Sequence, residues 1–290
     1  MFERILIPTD FSWYAQKTLF CAPEIPGVIE AVLLHVTEET AEPLVYRTLA
    51  EVRNAQSTPA HALAYAGEIL EKAGISVTYE IVPPGDEGIH AAILESASRN
   101  NVDLILIGGK GRGFIKDVLL GSVSRGVLEE AKGHVLVTHF DETPGSLPVP
   151  SGSHTDRAVP LFSRILVPVD FSRPTVETME FVNHLDGFDE LILLHVITSV
   201  EDRKDLKKKL EESMASLSAL QRELDTGVER ITPRIRFGDP GDEICAIAGE
   251  EDASIIIISR FGASDRSRDS RIGSVAAKVV KNARIPVLVR

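Results

Sequence analysis

Cysteine, positive charge and long hydrophobic runs are all scarce in this sequence, and each shortage removes a class of protein. Cys21 and Cys245 are the two cysteines among 290 residues, too few and too far apart for a disulfide framework or a zinc cluster. A reducing, cytoplasmic setting fits. Lys and Arg number 31 against 43 Asp and Glu, a formal net charge of −12. The excess of cations that neutralises a phosphate backbone is missing, so nucleic-acid binding is disfavoured. No apolar run approaches the ~18 residues of a membrane span; even Ile255 to Ile258 is bounded by Ser254 and Ser259. The opening Met1-Phe2-Glu3-Arg4-Ile5-Leu6-Ile7-Pro8 has no long apolar core and no small-residue cleavage site, so it does not read as a signal peptide. Three catalytic or nucleotide spellings are also absent. There is no Gly-x4-Gly-Lys-Ser/Thr loop, the turn Pro8-Thr9-Asp10-Phe11-Ser12 has none of the glycines of a dinucleotide fingerprint, and no Gly-x-Ser-x-Gly elbow occurs.

What is present is ordinary globular composition, 43% hydrophobic and 26% charged, in a chain long enough for two domains. The chain also repeats itself. Arg4-Ile5-Leu6-Ile7-Pro8-Thr9-Asp10-Phe11-Ser12 returns as Arg164-Ile165-Leu166-Val167-Pro168-Val169-Asp170-Phe171-Ser172, and Leu33-Leu34-His35-Val36 returns as Leu193-Leu194-His195-Val196 at the same 160-residue offset. Pro84-Gly85-Asp86-Glu87 matches Pro240 to Glu243, Gly121-Ser122-Val123 matches Gly273-Ser274-Val275, and His134 to Val137 matches Pro286 to Val289. One domain is therefore used twice, over 1–140 and 161–290. Residues 141–160, about half of them Pro, Gly, Ser or Thr, read as a linker.

Within each copy, short continuous apolar runs alternate with helical patterns, the signature of parallel strands buried on both faces with crossover helices. The expected class is α/β: two tandem, doubly wound, five-stranded parallel sheets. In copy one the strands fall near 3–8, 30–36, 76–82, 103–108 and 134–139, and the helices near 12–22, 45–74, 86–100 and 121–132. Asp86 is placed as an N-cap, and Gly74 and Gly133 as C-terminal caps. In copy two, Glu201 to Leu224 reads as the long helix. Its run Lys204 to Lys209 is flanked by acids and reads as a solvated face.

In such sheets ligands sit beyond the carboxyl ends of the strands. The loop after the fourth strand, Gly108-Gly109-Lys110-Gly111-Arg112 onward to Gly121-Ser122-Val123-Ser124, is the informative one. Gly108 and Gly111 are expected to supply positive φ and close backbone approach. Gly121 and Ser122 open a helix whose unpaired N–H groups suit phosphate oxygens, with Lys110, Arg112 and Lys116 beside it. A glycine-rich loop before an ordinary helix has the same spelling. His35 and His195 read as packed strand-end residues, and Cys21 and Cys245 as small apolar ones.

The spacing Gly108-x2-Gly111-x9-Gly121-Ser122, with Pro8-Thr9-Asp10 at the end of the first strand, resembles the ATP-binding signature of the universal stress protein family. The resemblance covers both copies. It implies an adenine-nucleotide-binding domain taking ATP or AMP, with Mg²⁺ accompanying ATP. No carboxylate cluster reads as a dedicated metal cage. Carried over by position, Asp10 contacts the nucleoside, Thr9 and Val36 meet the adenine, and Pro8 shapes the wall. Gly108, Gly111 and Arg112 pass along ribose and phosphates, and Gly121, Ser122, Val123 and Ser124 hold the phosphates. In copy two the matching set is Pro168, Val169, Asp170, Val196, Gly262, Gly273, Ser274 and Val275. That copy departs from the pattern: Ser259 replaces the first glycine, and ten residues separate Gly262 from Gly273. Arg260, Arg266, Arg268 and Arg271 enrich its loop in positive charge.

No catalytic residue is assigned. The resemblance implies a regulatory stress-response module, whose nucleotide orders the loop from Gly109 to Leu120 and is read by a protein partner. The alternative is a slow Mg-dependent ATP hydrolase or phosphotransferase. The resemblance also implies pairing through the last strands, near 134–139 and 286–290, either between the two copies as an internal pseudo-dimer that can dimerise again or between chains as a homodimer.

Overall fold

The structure, a computed structural model, describes residues 2–38, 40, 42–111, 120–140, 159–199, 201–224, 227–228, 230–263 and 272–290. The expected linker, save Val159 and Pro160, lies outside them, as do Arg112, Lys116, Arg266, Arg268 and Arg271. The chain forms two compact units, Met1–Pro150 and Ser151–Arg290.

The first unit runs β1 (Arg4–Pro8), α1 (Trp13–Leu19), β2 (Glu30–Val36), β3 (Leu44–Tyr46), α2 (Leu49–Asn54), α3 (Thr58–Lys72), β4 (Ser76–Val82), α4 (Ile89–Arg99), β5 (Leu104–Gly108), α5 (Ser122–Glu130) and β6 (His134–Thr138). Its β1 pairs in parallel with β2 (Ile7 opposite Leu33) and with β5 (Ile5 opposite Leu104). Outward from these, β2 pairs with β4 and β5 with β6. The order β4-β2-β1-β5-β6 reverses direction between β1 and β5, which opens a crevice there at the strand ends. Ile5, Leu6, Ile7, Leu33 and Leu34 are fully buried because helices cover both faces. Each such side chain contributes roughly 1.5–3 kcal/mol by leaving water.

Three expectations for this unit are corrected. The single helix over 45–74 is instead β3, antiparallel to β4 (Tyr46 opposite Tyr79), followed by α2 and α3. The breaks lie where side chains cap new helices. Thr48 Oγ1 accepts from Glu51 N–H at 3.2 Å and Ser57 Oγ from Ala60 N–H at 3.2 Å, while Pro59, lacking an N–H, fits the first turn of α3. The sheet accordingly gains a sixth, antiparallel strand beside its five parallel ones. Asp86 does not cap α4; Gly88 does, at φ 95°, and Gly85 and Gly88 bridge across the turn before it. Gly74 does take the left-handed conformation after α3, at φ 84°, whereas Gly133 is not among the positive-φ residues and α5 ends at Ala131 in extended backbone.

The second unit runs β7 (Arg164–Pro168), α6 (Arg173–Val182), β8 (Glu190–Ile197), α7 (Arg203–Glu223), β9 (Arg230–Phe237), α8 (Pro240–Glu250), β10 (Ile255–Ile258), α9 (Ser274–Asn282) and β11 (Val287–Val289). All its pairings are parallel, in the order β9-β8-β7-β10-β11, the same winding as the first unit. The Pro-Gly-Asp-Glu match proves displaced. Pro240 opens α8 directly because Asp239 precedes it and accepts from Asp242 N–H at 3.1 Å, whereas Pro83 before Pro84 has no capping side chain. On α7, Lys207 and Lys208 pair with Glu211 and Glu212 one turn on, at 3.8 and 3.7 Å, as a solvated face should.

Candidate functional site

The end of β1 is shaped by its own turn. Thr9 N–H donates to the Leu34 carbonyl at 2.8 Å, continuing the ladder for one residue, and Thr9 O lies 2.8 Å from His35 Nδ1. A carbonyl only accepts, so His35 carries its proton on Nδ1. Phe11 follows at φ 60°, a costly conformation for a bulky side chain, and its ring lies against the His35 ring at 4.4 Å. Copy two builds the same device: Phe171 has φ 59°, its ring is 4.7 Å from that of His195, and His195 Nδ1 is 2.7 Å from Val169 O. Both histidines make the hydrogen bond expected of strand-end residues; His35 is buried and lines the cavity of the crevice, and His195 is half-buried. The kink lets Asp10 Oδ1 accept from Ser12 N–H at 2.9 Å, and Ser12 Oγ then caps α1 by accepting from Ala15 N–H at 3.2 Å.

Across the crevice, α5 is pinned to the end of β5. Gly109 N–H donates to Thr138 O at 2.8 Å, Gly121 N–H to Gly109 O at 2.7 Å, and Ser124 Oγ–H to Gly108 O at 2.7 Å. The N-cap of α5 is Gly121, so no side chain caps the first-turn N–H groups. In α1, α2 and α3 the chain caps its own helices. A helix start of this kind presents donors and the positive end of the dipole to an anion.

Between these walls lies a cavity of about 630 Å³, within the range of small-ligand sites. Pro8, Thr9, Asp10, Val36, Gly108, Gly111, Gly121, Ser122, Val123 and Ser124 all line it. Ser124 donates its one hydroxyl proton to Gly108 O, which leaves its backbone N–H for any anion. The glycines work by space and not by dihedral: neither Gly108 nor Gly111 has positive φ. A Cβ on Gly108 would lie 3.1 Å from Thr18 Oγ1, and one on Gly111 would lie 2.7 Å from Asp10 Oδ2. Lys110, expected beside the helix opening, lines the cavity too, and residues not singled out from the sequence complete the lining. Ile89 and Ile93 of α4 form an apolar wall with Leu34 and Ile107, Ala15 adds a small patch, and Arg125 adds positive charge to that of Lys110. The i, i+4 pair Ile89 and Ile93 was legible as a helix face, but a face turned to a cavity spells the same as one turned to a core.

Behind Gly109 sits His139, whose ring atoms would lie 3.1 Å from a Cβ there. It is buried, and its Nε2 has no hydrogen-bond partner among the described residues. Burial, then the charge of Lys110, pushes its pKa down to about 4, so the ring is neutral near pH 7.

In copy two, Gly273 N–H donates to Arg260 O at 2.8 Å and caps α9 without a side chain, and Ser274 is exposed. Val169 is buried, while Pro168, Val196, Gly262 and Val275 are half-buried. Arg260, counted among the positive charges of the loop, is 8% exposed at the position equivalent to Gly109, and burial lowers its pKa. Burial raises the thiol pKa of Cys21 to about 12 and that of the half-buried Cys245 to about 11, so both are held protonated near pH 7.

Fold and site together define a tandem of doubly wound parallel α/β units, the first with a ligand-sized cavity at its topological switch point. The chain belongs to the universal stress protein family, whose model matches residues 1–139 and again 161–289. It is 31% identical over 158 residues to a universal stress protein of Methanocaldococcus jannaschii, covering 44% of this chain and 94% of that protein. It is 26% identical over 247 residues to one of Mycolicibacterium smegmatis, covering 79% and 75%. Among solved structures, a universal stress protein from Archaeoglobus fulgidus has the same fold over 99% of this chain and 95% of its own, with a TM-score of 0.63 and 24% identity. No helix among the described residues is long and apolar enough to cross a membrane.

Proposed function

We propose that the first copy binds an adenine nucleotide, ATP or AMP, and that a protein partner reads its occupancy in a stress response. The observation that carries this reading is the polarity of the cavity from end to end. Asp10 offers carboxylate oxygens at the strand end, acceptors for ribose hydroxyls. Leu34, Val36, Ile89, Ile93 and Ile107 offer aliphatic surface for a base. The uncapped start of α5, the exposed Ser122 hydroxyl, Lys110 and Arg125 offer donors and positive charge for phosphates. The family resemblance implies the same ligand class. Mg²⁺ would enter with ATP, held chiefly by the phosphate oxygens, where it offsets their charge.

The test is to denature freshly purified protein, identify and quantify released nucleotide by chromatography and mass spectrometry, and titrate the emptied protein with ATP, AMP and GTP. Saturable binding of ATP or AMP, near one equivalent per chain, is the expected result. No binding of either, or equal binding of GTP, would refute the adenine assignment.

A further inference from the structure

The two copies differ at a buried position beside the strand-end carboxylate. Position 15, on α1, is an alanine lining the cavity. Its counterpart at the 160-residue offset is Thr175, on α6, 2% exposed, whose hydroxyl donates to Asp170 Oδ1 at 2.5 Å. Ser172 sends both its hydroxyl, at 2.5 Å, and its N–H, at 3.0 Å, to the same oxygen, and Ala263 N–H donates to Oδ2 at 2.7 Å. A carboxylate oxygen has about two acceptor positions; three donors from the chain already crowd Asp170 Oδ1, and one is on Oδ2. The equivalent serine of copy one is used differently, since Ser12 Oγ accepts from Ala15 N–H to cap its helix. Ser172 makes no such cap bond. The start of α9, like that of α5, has no side-chain cap, so the copies are alike at the opening of this helix and part beside the strand-end aspartate.

We propose that Thr175, with Ser172 and Ala263, caps Asp170 from within the chain and so bars the second copy from taking a nucleoside, making the Ala15/Thr175 difference the determinant of which copy binds. The inference rests on the reading that the first copy takes an adenine nucleotide. A ribose hydroxyl arriving at Asp170 Oδ1 gains little, because a bond there displaces one already present, and Oδ2 is already shared with Ala263 N–H. Partial burial of the Asp170 carboxyl opposes its ionisation, yet these hydrogen bonds outweigh that and hold its pKa below the usual carboxylate value.

The experiment uses the full chain. Ala15→Thr and Ala15→Val are compared by calorimetric titration with Mg·ATP, with circular dichroism confirming that both are folded. Thr and Val have the same shape and only Thr can donate. Thr175→Val is followed by carboxyl-carbon NMR at Asp170. We expect one ATP per wild-type chain, at least tenfold weaker binding for Ala15→Thr than for Ala15→Val, and an upward move of the Asp170 titration midpoint in Thr175→Val. Two ATP per wild-type chain, equal affinities for the two Ala15 variants, or an unmoved Asp170 midpoint would each overturn the inference. One ATP per chain with equal Ala15 variants sinks this inference alone, whereas no ATP on the wild-type chain sinks the nucleotide reading as well.

Discussion

Replacing Gly111 by alanine is the sharpest probe of the first copy's cavity. The new Cβ would stand 2.7 Å from Asp10 Oδ2, about 0.7 Å inside ordinary contact distance. Gly111 is half-buried in a loop and does not need the left-handed region, so its backbone tolerates a side chain. The strain therefore falls on the Asp10 carboxylate, the end of a short side chain tethered through Oδ1 to Ser12 N–H at 2.9 Å. If that carboxylate accepts from a ribose hydroxyl, its displacement removes a hydrogen bond to a charged group, about 1.5–3 kcal/mol. At about 1.4 kcal/mol per factor of ten, affinity for Mg·ATP should fall roughly 10- to 150-fold. Calorimetric titration of the full chain at fixed ionic strength measures this. Urea unfolding of the same variant should shift by less than about 1 kcal/mol, in the range of surface substitutions. Affinity within twofold of the parent, with the fold intact, would refute the placement of the nucleoside against Asp10.

Three further outcomes follow from the packing and the charges. Gly67→Ala places a Cβ 2.2 Å from the hydroxyl of the buried Tyr79, so the first unit should lose about 1–3 kcal/mol by overpacking, read as an earlier urea midpoint. His139 has its pKa depressed by burial to about 4, so the unfolded chain binds this proton more readily. Its contribution is full above the ordinary histidine pKa of about 6.5 and falls away as pH drops toward 4. Unfolding midpoints at pH 7 and 4.5 should therefore lie further apart in the parent than in His139→Leu, and an unchanged gap would sink the assignment. Asp239→Ala removes the cap of α8 and the 2.8 Å pair with the exposed Lys278. About 1 kcal/mol of stability should go with the cap and little with the pair, so Lys278→Ala should be the milder variant in thermal unfolding.

Much of the fold was legible because its signals are local. Strands buried on both faces must be nearly continuous apolar runs, so β1, β2, β4, β5 and β6 stood out within a residue or two of their ends. The duplication exposed the second unit by comparison alone. The misread stretch, 45–74, failed because the helix formers of 49–54 and 60–72 were read as one run, while capping by Thr48 and Ser57 and pairing of Tyr46 with Tyr79 decide where helices start. The Pro-Gly-Asp-Glu repeat misled for a similar reason: the same four residues open a helix after Asp239 and form a turn after Pro83.

For the site, the amino-acid order by itself determined which residues were candidates, since a glycine-rich loop, a strand-end aspartate and a helix opening on Gly-Ser are chemistry written in consecutive letters. Tertiary structure alone decided what those residues face. It brought Ile89, Ile93 and Arg125 to the same cavity as Asp10 and buried Arg260 where Gly109 has its counterpart. Contacts between positions far apart in the chain depend on the direction each side chain takes once the sheet has closed, and no local pattern encodes that direction.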